Sequence, residues 1–156
     1  MRIESISIEN FKVFKETTIK DLSKMAVLLG TNGSGKSSFF DVFGFLSDAL
    51  QNNVTIALNR RGGFPEVISR GANINKDQIK FEIKFRNEQI RNEYSPLITY
   101  SISIGFKNGK AFISREILKY RRGQHTGKPW HFLDFKNGEG YAIENEEEYG
   151  QEGVEE

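Results

Sequence analysis

The sequence contains no cysteine among its 156 residues, which excludes a disulfide framework and a thiolate metal site. Long apolar runs are also lacking. The longest aliphatic run is Met25–Leu29, well short of the ~20 residues that a membrane span needs. The first residues, Met-Arg-Ile-Glu-Ser-Ile, lack the apolar region of a signal peptide. These absences favour a cytoplasmic protein without a membrane partner.

The length predicts one domain, because domains average ~150 residues. A chain of this size buries roughly two-thirds of its unfolded surface and needs no covalent staples to fold. Thirteen Phe, five Tyr and one Trp supply bulky side chains for a core. No internal repeat is visible.

The net charge of +1 hides an asymmetry along the chain. The last 13 residues, 144–156, carry seven Glu and neither Lys nor Arg. The remainder therefore holds 22 basic and 14 acidic residues, a charge of +8. A basic body suits polyanions such as nucleotides or nucleic acid, although solvated surface charge is an equally simple interpretation. We expect a folded body over 1–143 and an acidic tail over 144–156 that is disordered or truncated.

The first third of the chain predicts strands followed by a helix. Residues 2–9 and 12–19 are typical of two strands, with the turn at Asn10 and Phe11. The run Met25–Leu29 is of strand length and apolar throughout, which is typical of a strand buried on both faces in a parallel or mixed sheet. Apolar residues then recur at helical spacing from Lys36 to Leu50.

The second half predicts an antiparallel meander over about 79–143. Residues 52–75 are expected to be irregular because glycines and Pro65 interrupt them. Alternating apolar residues then predict strands over 79–85, 98–106 and 111–120. Two Asn-Gly pairs, at 108–109 and 137–138, predict tight hairpins, because both central residues of such turns need positive φ.

The residues 30–37, Gly-Thr-Asn-Gly-Ser-Gly-Lys-Ser, fit the phosphate-binding pattern G-x-x-x-x-G-K-[ST], known as Walker A. Backbone N–H groups that converge on a phosphate need conformations that side chains hinder, which explains Gly30, Gly33 and Gly35. The helix that follows adds its positive N-terminal end to the same anion. In this pattern Lys36 neutralises the β- and γ-phosphates, and Ser37 offers a hydroxyl to Mg²⁺. The apolar run before the loop and the helix after it are the context that the motif needs.

The loop and the residues before it resemble a known family. The form Gly-x-Asn-Gly-Ser-Gly-Lys-Ser is the Walker A variant of ABC-type ATPases. Twenty residues earlier, Ile8–Phe14 reads Ile-Glu-Asn-Phe-Lys-Val-Phe, which looks like the N-terminus of SMC, Rad50, RecF and OLD-like ATPase heads. The meander is similar to the β layer of AAA-family ATPases of bacterial DNA-repair and defence systems.

The resemblance implies a fold and a set of binding residues. The fold would be α/β, with a P-loop core, a mixed sheet and an antiparallel meander, as in the first lobe of an ABC-type head. Lys12 takes the place of a basic residue that lies near the nucleotide, although an exposed turn lysine is the simpler interpretation. Phe11 is more typical of a core residue. The expected ATP-binding residues are Lys12, Asn32, Gly33, Ser34, Gly35, Lys36, Ser37 and Ser38, with Ser37 on Mg²⁺.

Several motifs of this family cannot be placed in the chain. No strand ends in the Asp-Glu pair of Walker B, and no Leu-Ser-x-Gly signature is present. The late Gln151 cannot be assigned as the Q-loop glutamine. The sequence therefore predicts ATP binding without efficient hydrolysis, as expected of the N-terminal part of a longer ATPase. Such an ATPase would act in DNA repair or anti-phage defence, with a second head, DNA or an effector nuclease as partners.

Two other classes of protein remain open. A small P-loop kinase would need arginines over the transferred phosphate, and Arg60, Arg61 and Arg70 could supply them. A non-enzymatic interaction module with a vestigial nucleotide site is the second. Arg60–Arg61 and Arg121–Arg122 could contact nucleic acid, but surface solubilisation is the favoured interpretation. His125 and His131 lack the carboxylate partners that would indicate a metal site.

Overall fold

The computed structural model describes residues 2–86, 96–121 and 130–143. Within them, seven strands form one sheet in the order β2-β1-β3-β4-β5-β6-β7, and every neighbouring pair is antiparallel. The strands are β1 (Arg2–Phe11), β2 (Phe14–Ile19), β3 (Ile79–Arg86), β4 (Leu97–Lys107), β5 (Lys110–Arg121), β6 (Trp130–Lys136) and β7 (Glu139–Ala142).

Three helices lie between β2 and β3 in the chain, and they cover one face of the sheet. They are α1 (Lys36–Gln51), α2 (Val54–Asn59) and α3 (Phe64–Val67). Phe45 of α1 contacts the rings of Phe11 on β1 and Phe81 on β3, with ring centroids 5.6 and 5.5 Å apart. Phe11 and Phe81 lie 5.2 Å apart, so the three rings join α1 to the sheet. Phe11 is fully buried, which confirms its assignment to the core.

The period-two pattern of the strands places the core on the helix side of the sheet. Ile8 pairs with Phe81, and Phe81 pairs with Ile102 on the next strand. All three are buried, while their chain neighbours Ser7, Glu82 and Ser101 form a hydroxyl- and charge-bearing row on the other face. One buried face is what fixes the register of these strands.

The predicted meander and its hairpins are confirmed within the described residues. Asn108 and Gly109 have φ of 52° and 76°, and Asn137 and Gly138 have φ of 53° and 87°. Each pair thus has the two positive φ values that a tight turn between right-twisted strands requires. The helix predicted from Lys36 is also confirmed.

The mixed sheet and the buried strand at Met25–Leu29 are wrong for the described residues. Met25 is 81% and Leu29 90% exposed, and this segment belongs to no strand of the sheet. A run of apolar residues becomes a buried strand only where neighbouring strands accept its backbone hydrogen bonds and cover its side chains. In the parts of the chain that the structure describes, all seven strands pair with one another instead.

Two boundaries predicted from the sequence differ in the structure. The first turn lies at Lys12 and Val13 instead of Asn10 and Phe11, because Phe11 still pairs with Phe14. Residues 52–75 are not wholly irregular, since they contain α2 and α3. Asn53 accepts a hydrogen bond from the amide of Ile56 at 2.8 Å and so caps α2, a local signal that the many breakers obscured.

Some predictions lie outside the described residues. They are the basic loop that includes Arg122 and His125, and the acidic tail with Gln151. The division into 1–143 and 144–156 stays a prediction. No helix of the described ranges is long and apolar enough to cross a membrane.

Candidate nucleotide-binding site

The loop of residues 30–35 leads directly into α1. Gly33 and Gly35 have φ of +84° and +94°, a region that side chains disfavour. Gly35 is the N-cap of α1 and has no side chain to accept from the first amides of the helix. Its carbonyl accepts the first helical bond, from the amide of Phe39 at 2.9 Å. The first turn of the 16-residue helix α1 therefore meets the loop without a side-chain cap.

The ammonium of Lys36 is held over this loop. Its Nζ donates hydrogen bonds to the carbonyl oxygens of Gly30 and Thr31, at 2.6 and 2.7 Å, and lies 3.4 Å from Oγ of Ser34. Gly30 leaves the space for this arrangement, because a Cβ there would lie 2.5 Å from Oγ of Ser34. The positive charge thus lies at the loop that the sequence predicts for phosphate.

The other predicted binding residues of the loop and of the first turn of α1 flank Lys36 in the chain. Ser37 is exposed and Ser38 is half-buried in the first turn of α1. Asn32 is exposed in the loop. The structure thus brings Asn32, Gly33, Ser34, Gly35, Lys36, Ser37 and Ser38 together in one segment.

Lys12 reaches α1 from the turn between β1 and β2. Its φ is 51°, and its amide donates to the carbonyl oxygen of Val67 at 2.7 Å. Its ammonium lies 2.6 Å from Oδ2 of Asp41, four residues after Ser37 on α1. With 33% of the side chain exposed, Lys12 is neither free in solvent nor buried. The structure therefore places Lys12 next to the helix that follows the loop.

A cleft of about 480 Å³ opens between this turn and the segment after α3. We name it the side cleft. It brings three cations, one carboxylate and two serine hydroxyls together, and its hydroxyl at Ser69 is fixed by donation to the carbonyl oxygen of Phe14 at 2.8 Å. Its lining residues are Lys12, Val13, Lys15, Ser38, Glu66, Ile68, Ser69 and Arg70. An anionic ligand would meet an excess of positive charge there.

An ion-pair network that the sequence did not predict joins α1 to Arg60 and Arg61, which follow α2. Nε of Arg61 donates to Oδ1 of Asp41 at 2.9 Å, and its NH1 donates to Oδ2 of Asp48 at 2.7 Å. The guanidinium lies 5.5 Å from the ring centroid of Phe45, and only 12% of the Arg61 side chain is exposed. The expectation of a solubilising surface residue is therefore wrong for Arg61. Arg60, which also pairs with Asp48, is 56% exposed.

The spacing of the two carboxylates on α1 could have indicated this network. Asp41 and Asp48 are seven residues apart and so lie on one face of the helix. Gly44 lies between them, and a Cβ there would be 3.1 Å from NH2 of Arg61. The hydrogen bond from Arg61, together with Arg60, lowers the pKa of Asp48 below its ordinary value, against the opposing effect of burial.

The histidine that the structure describes lies next to a carboxylate, so the expectation that it lacks such a partner is wrong for His131. Nδ1 of His131 lies 3.3 Å from Oδ2 of Asp134, which also accepts from Arg115 at 2.7 Å. Within the three described ranges, no group of three or more histidine and carboxylate residues could hold a metal ion. Ser37 stays the predicted ligand for Mg²⁺.

Comparison with known proteins places the chain in a family. The model of the AAA ATPase domain matches residues 1–149, and the chain belongs to this family. A Rad50 ATPase of DNA double-strand break repair from Sulfolobus acidocaldarius is 35% identical over 85 residues. That segment is 53% of this chain and 9% of the Rad50 protein, so the chain matches only a small part of its relative. The predicted resemblance to AAA-family ATPases is thereby confirmed, and the similarity to Rad50 agrees with the predicted likeness to Rad50 heads.

One solved structure is also similar. It comes from work on the ATP-driven dimerization and DNA-stimulated activation of SMC ATPases. The likeness covers 83% of this chain and 72% of that one, at 19% identity and a TM-score of 0.47. The chain's membership of the family follows from the match of the AAA ATPase domain over residues 1–149.

Proposed function

We propose that the chain binds the triphosphate of ATP, with Mg²⁺, at the loop of residues 30–37. The observation that carries this proposal is the position of Lys36, whose ammonium lies 2.6 Å from the Gly30 carbonyl oxygen at the start of α1. In the structure its partners are carbonyl oxygens of the loop. A phosphate oxygen is a stronger partner than a carbonyl oxygen, because its negative charge adds Coulombic attraction to the hydrogen bond.

The backbone around Lys36 supports the same ligand. Gly33 and Gly35 have the positive φ values that turn successive amides toward one side of a loop. The first turn of α1, which has no side-chain cap, adds its N–H groups and the positive end of the helix dipole. Ser37 is the residue whose hydroxyl would hold Mg²⁺, and the ion would supply positive charge that offsets the charge of the phosphates.

The side cleft supplies room for the part of the polyphosphate that extends beyond the loop. Ser38 belongs both to the first turn of α1 and to the cleft, so a ligand on the loop can extend into it. Lys12, Lys15 and Arg70 offset the ligand's negative charge there, against the single carboxylate of Glu66. Lys12 is thereby a nucleotide-contacting residue in this proposal.

The wider role that we propose follows the family. The relative is a Rad50 ATPase of DNA double-strand break repair, and the solved structure belongs to SMC ATPases that dimerise with ATP and respond to DNA. We propose that this chain is part of a cytoplasmic ATPase of this kind, acting in DNA repair or anti-phage defence. Head-to-head dimerisation, DNA and an effector nuclease are the partners in question. Hydrolysis would then need a Walker B strand and a signature motif that this sequence lacks.

Titration calorimetry with ATP and Mg²⁺ tests the proposal. We expect the wild-type chain to bind, and Lys36→Ala to bind at least tenfold more weakly while its circular dichroism spectrum is unchanged, because the charge-assisted contact is lost. Lys76→Ala is the matched control, since Lys76 is an exposed lysine outside the loop and the side cleft. Equal ATP affinity of Lys36→Ala and the wild type would overturn the proposal.

The kinase alternative is weakened by the structure. A kinase would use arginines over the transferred phosphate, but Arg61 is committed to Asp41 and Asp48. Arg70 is an exposed residue of the side cleft and keeps this alternative open. Transfer of radiolabelled phosphate from ATP to a panel of nucleosides and sugars would support the kinase, whereas ATP binding without transfer would support the ATPase head. Absence of ATP binding would support the interaction module.

A further inference from the structure

Asp41 uses its two carboxylate oxygens on two different partners. Oδ1 accepts from Nε of Arg61 at 2.9 Å, and Oδ2 lies 2.6 Å from the ammonium of Lys12. Oδ2 is buried and makes no hydrogen bond with the described residues, so the Lys12 ammonium is what neutralises it. A buried carboxylate oxygen without such a contact is costly, which ties the positions of Asp41 and Lys12 together.

Asp41 lies on α1 between the loop and the ion pair of Arg61 with Asp48. It lies one helical turn after Ser37 and Ser38, on the same face of α1. Arg61 also pairs with Asp48, which lies about two turns further along α1. The carboxylate itself does not line the side cleft, whereas Lys12 and Ser38 do. Asp41 is therefore not placed to contact a ligand in the cleft directly.

The backbone of Lys12 is held by a hydrogen bond, and its ammonium is held by the ion pair with Asp41. The amide of Lys12 is bonded to Val67, and Phe11 forms a bridge with Ile68. Beyond the backbone, the ammonium contacts Asp41 at 2.6 Å and lies 6.0 Å from the ring centroid of Phe11. Holding a lysine side chain in one conformation costs conformational entropy. The contact with Asp41 offsets this cost before a ligand binds, so that less of the binding free energy is spent on ordering Lys12.

We propose that Asp41 is a positioning residue that holds the Lys12 ammonium at the side cleft for the polyphosphate of the nucleotide. This inference rests on the proposed ATP site. Asp41 touches no nucleotide atom in this scheme and acts only through Lys12. Its second contact, with Arg61, keeps the carboxylate in place while Lys12 engages the ligand.

The first test needs no nucleotide. Brief acetylation with an amine-reactive ester, followed by mass spectrometry, measures how accessible each lysine is. In Asp41→Asn, which keeps the size of the side chain, we expect Lys12 to react severalfold faster than in the wild type. Lys15 and Lys76, which do not contact Asp41, serve as internal references and should be unchanged. Equal Lys12 reactivity in both proteins would overturn the inference.

The second test is a double-mutant cycle on ATP affinity, with Asp41→Asn, Lys12→Met and the double variant. We expect Asp41→Asn to weaken ATP binding roughly fivefold or more where Lys12 is present, and less than about twofold where it is Met. The same loss in both backgrounds would mean that Asp41 acts through the fold and would overturn its positioning role. A wild-type chain that binds no ATP would overturn the proposed function, while the acetylation result still decides whether Asp41 holds Lys12.

Asp41→Glu keeps the experiment decisive if Asp41→Asn fails to fold. It retains the charge and lengthens the side chain by one methylene. We expect it to restore Lys12 protection and most of the ATP affinity. If Asp41→Glu folds and yet leaves Lys12 as reactive as Lys15, the inference is wrong.

Discussion

Gly35 lies against Val13, so that the end of the loop meets the turn between β1 and β2. A Cβ added to Gly35 would lie 3.1 Å from Cγ2 of Val13 and 3.7 Å from Cζ of Phe14. Gly35 also has a φ of +94°. The close approach and the positive φ both require glycine at this position, and together they couple the loop to the turn that carries Lys12.

Gly35→Ala should therefore destabilise the fold by more than the about 1–2 kcal/mol that a side chain in the left-handed region usually costs, and it should weaken ATP binding. Gly33→Ala is the matched comparison. Gly33 has a φ of +84°, but no atom lies within 4 Å of its added Cβ. It should show the strain alone, and so lose less stability than Gly35→Ala. Urea denaturation of both variants measures how much stability each one loses. A larger loss of stability for Gly33→Ala than for Gly35→Ala would contradict the contact with Val13.

Arg61 and its neighbour Arg60 offer a second matched pair. Arg61→Ala removes one of the two cationic partners of Asp41 and of Asp48, together with a cation above the Phe45 ring. The Arg61 side chain is 12% exposed. We expect a loss of about 2 kcal/mol, because two carboxylates lose charged donors. Arg60→Ala should lower the free energy of unfolding by less than about 1 kcal/mol, because the Arg60 side chain is 56% exposed. Thermal or urea unfolding of both variants measures this, and equal losses would show that Arg61 is not the centre of the network.

The features that the sequence predicted correctly are those whose cause is local. The turn at Asn108–Gly109 needs two residues that tolerate positive φ, and both are visible in the sequence. The start of α1 at Lys36 follows from a glycine-rich loop before an amphipathic run. The alternation along β3 and β4 fixed both the strands and the face that packs on the helices.

The features that the sequence missed depend on partners far away in the chain. Met25–Leu29 has the composition of a buried strand, but composition cannot supply the neighbouring strands that burial requires. Its side chains at Met25 and Leu29 are exposed for that reason. The pairing of Lys12 with Asp41 spans the first turn and α1, and no local pattern marks it. A long-range contact of this kind becomes visible only when the sheet brings its two segments together.

The acid sensitivity of the protein should report on Asp48. The hydrogen bond from Arg61, with help from Arg60, lowers the pKa of Asp48 in the folded protein below its ordinary value of 3.8. A lowered pKa means that the unfolded chain takes up the proton more readily. The stability that this carboxylate contributes is therefore present above its unfolded pKa, and is lost as the pH falls through the folded value.

Asp48→Asn removes that contribution without changing the size of the side chain. Urea unfolding of the wild type and of Asp48→Asn, from about pH 7 to about pH 3, should show a stability difference that is constant above about pH 5 and shrinks toward pH 3. Asp21→Asn is the control, because Asp21 is exposed and has a φ of 54°, which Asn tolerates well. A difference between wild type and Asp48→Asn that stays the same down to pH 3 would mean that Arg61 and Arg60 do not hold this carboxylate in its charged form.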